Sequence, residues 1–458
     1  MPFELTSAPS QTTLRFLSQE QMCRYTAFPI EYDETARQLK VAMADINDFD
    51  LISDIQVCTG VSIVPVKSEE DKIVQWINAF AERAMPSLDK NPAGIRVNSP
   101  VIRLVNEIIS EAMHSGVSDI HFEPGEKNFL VRFRKDGILT VARKLPQRSV
   151  SEINSRLKIM ASIDIAEKRR PQDGRIHFDD GAKAVDIRVS ALPTDYGQKM
   201  VLRLLDKGKV IHKLDSLGMT NEQVDACERE IHKPYGMFLI TGPTGSGKTT
   251  TLYTLLQMIR SPELNISTIE DPIEYKLGGI TQTAVNTKID LTFAAALRTL
   301  LRQDPDIIMV GEIRDAETAE LAIRAALTGH LVFSTLHTND APSAIVRLID
   351  MGVEPFLVAS AVNFIVAQRL VRRTCPKCGG KEPDCLVCGG SGFKGRVGIF
   401  EMMSMSEKIR EMIHKGASGT ELRQAAIEDG METLAMDGIK KVNAGLTTKS
   451  EIAAEAVI

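Results

Sequence analysis

The chain has 458 residues, 43% of them hydrophobic, which is enough for a sizeable core and too much for one domain, so several domains are expected. Lys and Arg number 55 and Asp and Glu 60, a formal charge of −5, and aromatics make up 5%; neither a basic field nor an aromatic-bearing channel favours a nucleic-acid motor. The apolar stretch Phe356 to Ala367 is interrupted by Asn363 and is shorter than the roughly 20 residues that span a bilayer. The start MPFELTSAPS has no basic segment leading into an apolar one, so no signal peptide is read. A cytoplasmic location is expected, with the membrane reached only through partners.

Residues 1–85 read as a small N-terminal α/β module. Strands are expected over Leu39–Asp45 and Val61–Val66, and a helix over Phe49–Thr59. A second, amphipathic helix over Glu69–Met85 carries Ile73, Trp76, Ile77 and Phe80 on one face. Nothing in the module looks catalytic, so a docking role is expected. Residues 86–98, rich in Pro, Gly and polar residues, read as a linker. An α+β domain follows over 99–205. It has helices over Pro100–Ser115 and around Val150–Ile163, a strand over Leu130–Gly137, and strands at RIHF, AVDIRVSAL and KMVLRLL. In SDIHFEP, Asp119, His121 and Glu123 alternate, which puts them on one face of a strand. From 206 to 458 the pattern becomes strand–loop–helix, with short apolar strands at MFLI, NISTIE, DIIMVGE and HLVFSTL. That pattern predicts a parallel sheet covered on both faces.

The first of these strands runs into Gly242, Pro243, Thr244, Gly245, Ser246, Gly247, Lys248 and Thr249, which fit G-x-x-x-x-G-K-[ST] and open a helix through Thr250. The glycines let backbone N–H groups turn inward around phosphate oxygens, and the helix N-terminus adds partial positive charge. Lys248 is expected on the β- and γ-phosphates of ATP, and the Thr249 hydroxyl on Mg²⁺. Two further strands end in acids, Glu270-Asp271 and Glu312, at the edge where open α/β sheets hold ligands. Hydrolysis needs one carboxylate near Mg²⁺ and one to orient water. Asp271 reads equally as a helix cap. His330 and His337 bracket HLVFSTL and are candidates for sensing the γ-phosphate. A small-molecule kinase would carry the same phosphate loop but would need an acceptor site.

The 99–205 domain carries Arg175, Arg188 and Arg203 on predicted strands. Such cations are either a solvated face or contacts to a phosphoryl-transfer site. Of the seven cysteines, Cys23, Cys58 and Cys227 are scattered and read as ordinary thiols. The other four form two CxxC pairs, Cys375/Cys378 and Cys385/Cys388, flanked by glycines. Four cysteines and no open position favour structural Zn²⁺ over disulfides in a cytosolic chain.

The phosphate loop together with TIEDPIEY (268–275), LRQDPDIIMVGEIRDAETAE (301–320) and TGHLVFSTLHTND (328–340) resembles the secretion ATPase superfamily, which drives type II secretion and type IV pilus assembly and retraction. The blocks look like its Walker A, Asp box, Walker B and His box. The resemblance implies a multidomain α/β fold with a RecA-like core, a preceding PAS-like α+β domain and a zinc knuckle. It maps the water-activating glutamate onto Glu270, the Walker B glutamate near Mg²⁺ onto Glu312, and the His-box residues onto His330 and His337. It also makes Arg175 and Arg188, with Arg203 third, contacts to the γ-phosphate. It further implies a homohexamer acting on an inner-membrane platform, with a GspL-like partner docking on the N-terminal module and a GspF-like one beyond. TTTLYTLL (249–256) and MGVEPFLVAS (351–360) resemble the type II secretion branch, while FEPGEK (122–127) leans toward pilus extension. The spacing between the CxxC pairs is shorter than many members carry. The retraction branch usually lacks the cysteines.

Overall fold

The structure, a computed structural model, describes residues 9–14, 16–17, 21–22, 25–70, 72–74, 76–77, 100–205 and 213–456. The linker read over 86–98, the later part of the Glu69–Met85 helix, Cys23 and residues 206–212 lie outside these. The chain divides into two units, Met1–Ser99 and Pro100–Ile458.

In the first unit, strands β1 (Ala27–Asp33), β2 (Gln38–Met43) and β3 (Ser62–Lys67) form one sheet in that order. Strand β1 is antiparallel to β2, and β3 is parallel to it. The crossover is helix α1 (Phe49–Thr59), capped by the Asp48 side chain accepting from Leu51 N and closed by Gly60 at φ 70°. Alternate residues of β2, with Ile55, Ile63, Ile73 and Ile77, make the core. Strand β1 escapes sequence reading because Pro29 and a bulge between Pro29 and Glu31 break its alternation.

The second unit begins with helix α2 (Pro100–Ser115), which buries Val105, Ile108, Ile109, Ala112 and Met113 at three- and four-residue spacing. Helix α2 and helix α3 (Val150–Met160) supply the core over one face of a six-stranded antiparallel sheet. Its strands are β4 (Asp119–Pro124), β5 (Asn128–Lys135), β6 (Ile138–Pro146), β7 (Gln172–Asp179), β8 (Ala184–Thr194) and β9 (Gly197–Leu205). Their order is β6-β5-β4-β9-β8-β7. Ile120, Phe122, Val131, Ile187 and Leu202 enter the core, so the residues between them line the opposite, charged face.

A second sheet of seven strands follows: β10 (Gly236–Thr241), β11 (Ile266–Glu270), β12 (Thr281–Ala284), β13 (Ile307–Val310), β14 (Leu331–Leu336), β15 (Val362–Thr374) and β16 (Phe393–Ser404). The order is β12-β11-β13-β14-β10-β15-β16. The ladders from β12 to β15 are parallel, as expected, but β16 is antiparallel to β15. The all-parallel expectation fails there because β15 and β16 form a hairpin closed by the cysteine segment. Met237 and Leu239 of β10 feed one core and Phe238 and Ile240 the other, which is why the strand is apolar throughout. No helix among the described residues is long and apolar enough to cross a membrane.

Candidate active site

Parallel pairing puts the C-terminal ends of β10, β11, β13 and β14 along one edge, where Glu270 is the last residue of β11 and the phosphate loop, Glu312 and His337 follow the other three strands. The loop turns through Gly242 (φ 147°), Gly245 (φ 83°) and Gly247 (φ 91°) into helix α4 (Lys248–Ile259). A Cβ at Gly242 would stand 2.4 Å from the Gln368 carbonyl, and one at Gly247 would stand 2.8 Å from the Gln368 amide, so only glycine fits this cradle. The Lys248 ammonium donates to the carbonyls of Gly242 (2.7 Å) and Pro243 (3.0 Å). Burial pushes it down to about 8, with Glu312 opposing the shift and Arg369 adding to it. The buried Ser246 hydroxyl has no hydrogen-bond partner. Thr244, Gly245 and Thr249 are exposed, and Thr250 is half-buried. A glycine cradle, an orphaned hydroxyl and a cation satisfied only by loop carbonyls fit a phosphate chain.

Glu312 sits two residues past β13. It takes Arg314 Nη2 at 2.6 Å and His337 Nε2 at 3.2 Å. Burial works to raise its pKa, but Arg314, and then His337, outweigh it and hold it below its ordinary value. Asp271, exposed, adds to the field that raises Arg314. Glu270 is 3% exposed, and its carboxylate accepts from Tyr253 Oη, Thr268 Oγ1 (2.5 Å) and Gln282 Nε2 (3.0 Å). Four residues on, Glu274 is 35% exposed and pairs with Arg188 at 3.3 Å. Arg188 also donates to the Ile273 carbonyl at 3.0 Å.

The three arginines fall in one transverse row, with Arg175 opposite Arg188 and Arg188 opposite Arg203, which itself stands opposite Asp119. Of the three, Arg188 meets the acidic loop. Arg203 is bound to Asp119 at 2.8 Å, and Arg175 is exposed beside Arg188. His121 and Glu123 share the face, where Glu123 takes Arg132 and Lys199. His330 is displaced from the expected site. It precedes Leu331, the partner of Gly236 at the start of β10, and its Nδ1 lies 3.0 Å from the Ala325 carbonyl. It stands roughly 20 Å from His337, one strand length away. Glu274, Arg314 and Arg369 were not anticipated from the sequence, because each reaches the site through a tertiary contact. An acid four residues past Glu270 in the same block was the one available signal.

The four cysteines are buried, with every pair of sulfurs within 4.8 Å. Cys375 and Cys385 are 4.0 Å apart, and Cys378 and Cys388 are 3.7 Å apart. A tetrahedral Zn²⁺ with bonds of about 2.3 Å sets its sulfurs about 3.8 Å apart, so the set fits the ion. Cys227 is buried and Cys58 exposed.

The chain is 42% identical over 486 residues to the type IV pilus assembly ATPase PilB of Myxococcus xanthus, covering 96% of this chain and 86% of that protein. It is 48% identical over 377 residues to the type II secretion system protein E of Pectobacterium carotovorum, covering 78% of this chain and 75% of that one. The crystal structure of the pilus retraction motor PilT with bound ADP matches at TM-score 0.55 and 29% identity, over 77% of this chain and 96% of that one. Residues 2–87 match the MshEN domain. The model described as Type II/IV secretion system protein matches residues 96–454. That span takes in the phosphate loop, both acidic strand ends, the arginine row and the four cysteines, and the chain belongs to this family.

Proposed function

We propose that this chain is an ATPase that hydrolyses ATP to power protein secretion through a type II secretion system. The observation that carries the reading is that a phosphate cradle, the Glu312 cluster and the loop after β11, whose Glu274 pairs with Arg188 of the other sheet, all follow the C-terminal ends of neighbouring parallel strands. Lys248 takes the β- and γ-phosphates, and Thr249 and Glu312 would hold Mg²⁺. That ion neutralises charge on the phosphates. Zn²⁺ on Cys375, Cys378, Cys385 and Cys388 serves structure alone.

Glu270 is buried and has three of its roughly four lone-pair sites taken by donors, which leaves it poorly placed to accept a proton from water. Glu274 is the better candidate for the base. A γ-phosphate competes with Glu274 for Arg188, and when Arg188 moves to the phosphate the Glu274 carboxylate is released to face water. Arg175 follows as the cross-strand neighbour, and Arg203 supports the row. His337 senses the phosphate through Glu312. His330 is too distant to act on its own chain's site and would do so only toward a neighbouring subunit. A homohexamer, peripheral to the inner membrane, with the N-terminal module of residues 1–85 docking on a platform partner, completes the reading. No nucleic acid is involved.

A second reading, pilus assembly, draws support from coverage: the Myxococcus relative aligns over 96% of the chain and the Pectobacterium relative over 78%. The test is turnover of ATP and Mg²⁺ without any acceptor, lost in Lys248→Ala. Introducing that variant in the source organism then separates the two readings, according to whether exported enzymes or pili disappear. Glu274→Gln should cost about 10²–10⁴-fold in turnover while ATP still binds. If Glu270→Gln alone does so, the base is Glu270.

A further inference from the structure

We propose that Tyr253 is a positioning residue for this reaction, its hydroxyl fixing the acidic loop relative to the phosphate-loop helix. The proposal rests on the reading of Glu274 as base and extends it to a residue that touches neither substrate nor metal.

Tyr253 lies on α4 four residues after Thr249, on the same helix face one turn below it, and it is fully buried. A phenol has one proton to give and two lone pairs, and all are used. The proton goes to Glu270. The oxygen accepts the Glu274 backbone N–H at 3.3 Å and Gln282 Nε2 at 3.5 Å. Gln282, paired with Thr268 across β12 and β11, continues the pattern. Its amide donates to the Tyr275 carbonyl at 3.2 Å and accepts from Leu277 N at 2.7 Å. The Tyr253 and Tyr275 rings meet edge to face at 4.6 Å. The backbone of residues 274, 275 and 277 therefore hangs on Tyr253 and Gln282, with buried Glu270 as the anchor. Burial, then the Glu270 carboxylate, hold the phenol far above its ordinary pKa, so it stays a donor at working pH. Thr249, exposed at the helix start, would face a bound phosphate chain, while Tyr253 holds the loop that carries Glu274. The hydroxyl thus sets the gap between nucleotide and base, and a shift of about 1 Å at such a gap costs about 10²-fold in rate.

Tyr253→Phe keeps the ring and removes only the hydroxyl. We expect kcat to fall at least about tenfold with KM for ATP within about threefold. In a Glu274→Gln background the same change should cost nothing further, because a positioning residue acts through the group it positions. Amide exchange in the peptide spanning 271–280 should quicken at least about tenfold while the 242–250 peptide is unchanged. Gln282→Leu, which spares the tyrosine, should give the same pattern should Tyr253→Phe fold poorly. Unchanged exchange at 271–280, or a kcat loss that adds in full to that of Glu274→Gln, overturns the proposal. Normal turnover in Glu274→Gln instead sinks the reading of the base, and the exchange measurement still decides the role of Tyr253.

Discussion

Burial depresses the pKa of Lys248, whose ammonium donates to loop carbonyls, and the more distant Glu312 only partly opposes it. Below about pH 8 the free enzyme already carries the charge that phosphates need. Above it, the free form is neutral and ATP binding must take up a proton. Affinity should therefore fall as pH rises past about 8, by at most about tenfold per unit, and Lys248→Arg should abolish the inflection because guanidinium does not titrate there. A flat profile of nucleotide affinity from pH 7 to pH 10, measured by calorimetry, would contradict this. The phosphate loop was legible because its eight residues are contiguous and their chemistry follows from the motif. Glu274, Arg314 and Tyr253 were not, because a neighbour across strands leaves no local mark. His330 and His337 bracket β14 as their sequence positions imply, but only His337, at the C-terminal end, lies beside Glu312, and the sequence does not mark which end of a strand faces the site.

At the scale of elements, the strands buried on both faces and bounded by loops were found, namely β10, β11, β13 and β14. Those missed lack a readable period. Strand β6 is exposed or half-buried throughout, so nothing forces alternation on it. Strand β15 begins inside the apolar run of Phe356–Ala367, where a helix gives way to a strand without a polar break. The four cysteines were legible by spacing, and the structure adds what they hold. Cys375 N–H binds the Gly392 carbonyl at 2.8 Å, just beyond the Thr374–Phe393 pair that ends the β15–β16 ladder. Arg372 lies over the Phe393 ring at 4.1 Å. The cysteine segment therefore forms the turn of the β15–β16 hairpin, and Gln368, midway along β15, packs against the phosphate loop. Cys378→Ser should lower the zinc content from about one per chain toward zero and expose residues 371–397 to exchange. The 237–250 peptide should keep its protection. Loss of protection at both places together would mean that the knuckle supports the whole core.

On the scale of the whole molecule, the two units have separate cores: one built from residues between Leu17 and Ile77, the others confined to residues beyond 100. The phosphate loop, the acidic strand ends and the arginine row all belong to the second. Unfolding enthalpy scales at about 0.7 kcal/mol per residue, so the smaller unit, Met1–Ser99 against Pro100–Ile458, should absorb a little over about one quarter of the heat of the larger. Two transitions of that unequal size are expected in a calorimetric scan of the full chain. A ligand that binds only the folded form stabilises it by about 2.7 kcal/mol at a hundredfold excess over its Kd. ATP with Mg²⁺, added to the non-hydrolysing Glu274→Gln variant, should move the larger transition up by a few degrees and leave the smaller where it was. This also bears on docking: a partner that engages only the N-terminal module should shift the smaller peak alone. A single cooperative transition that rises as a whole with nucleotide would mean that the module is energetically part of the motor, and its role would then have to be sought in turnover rather than in attachment.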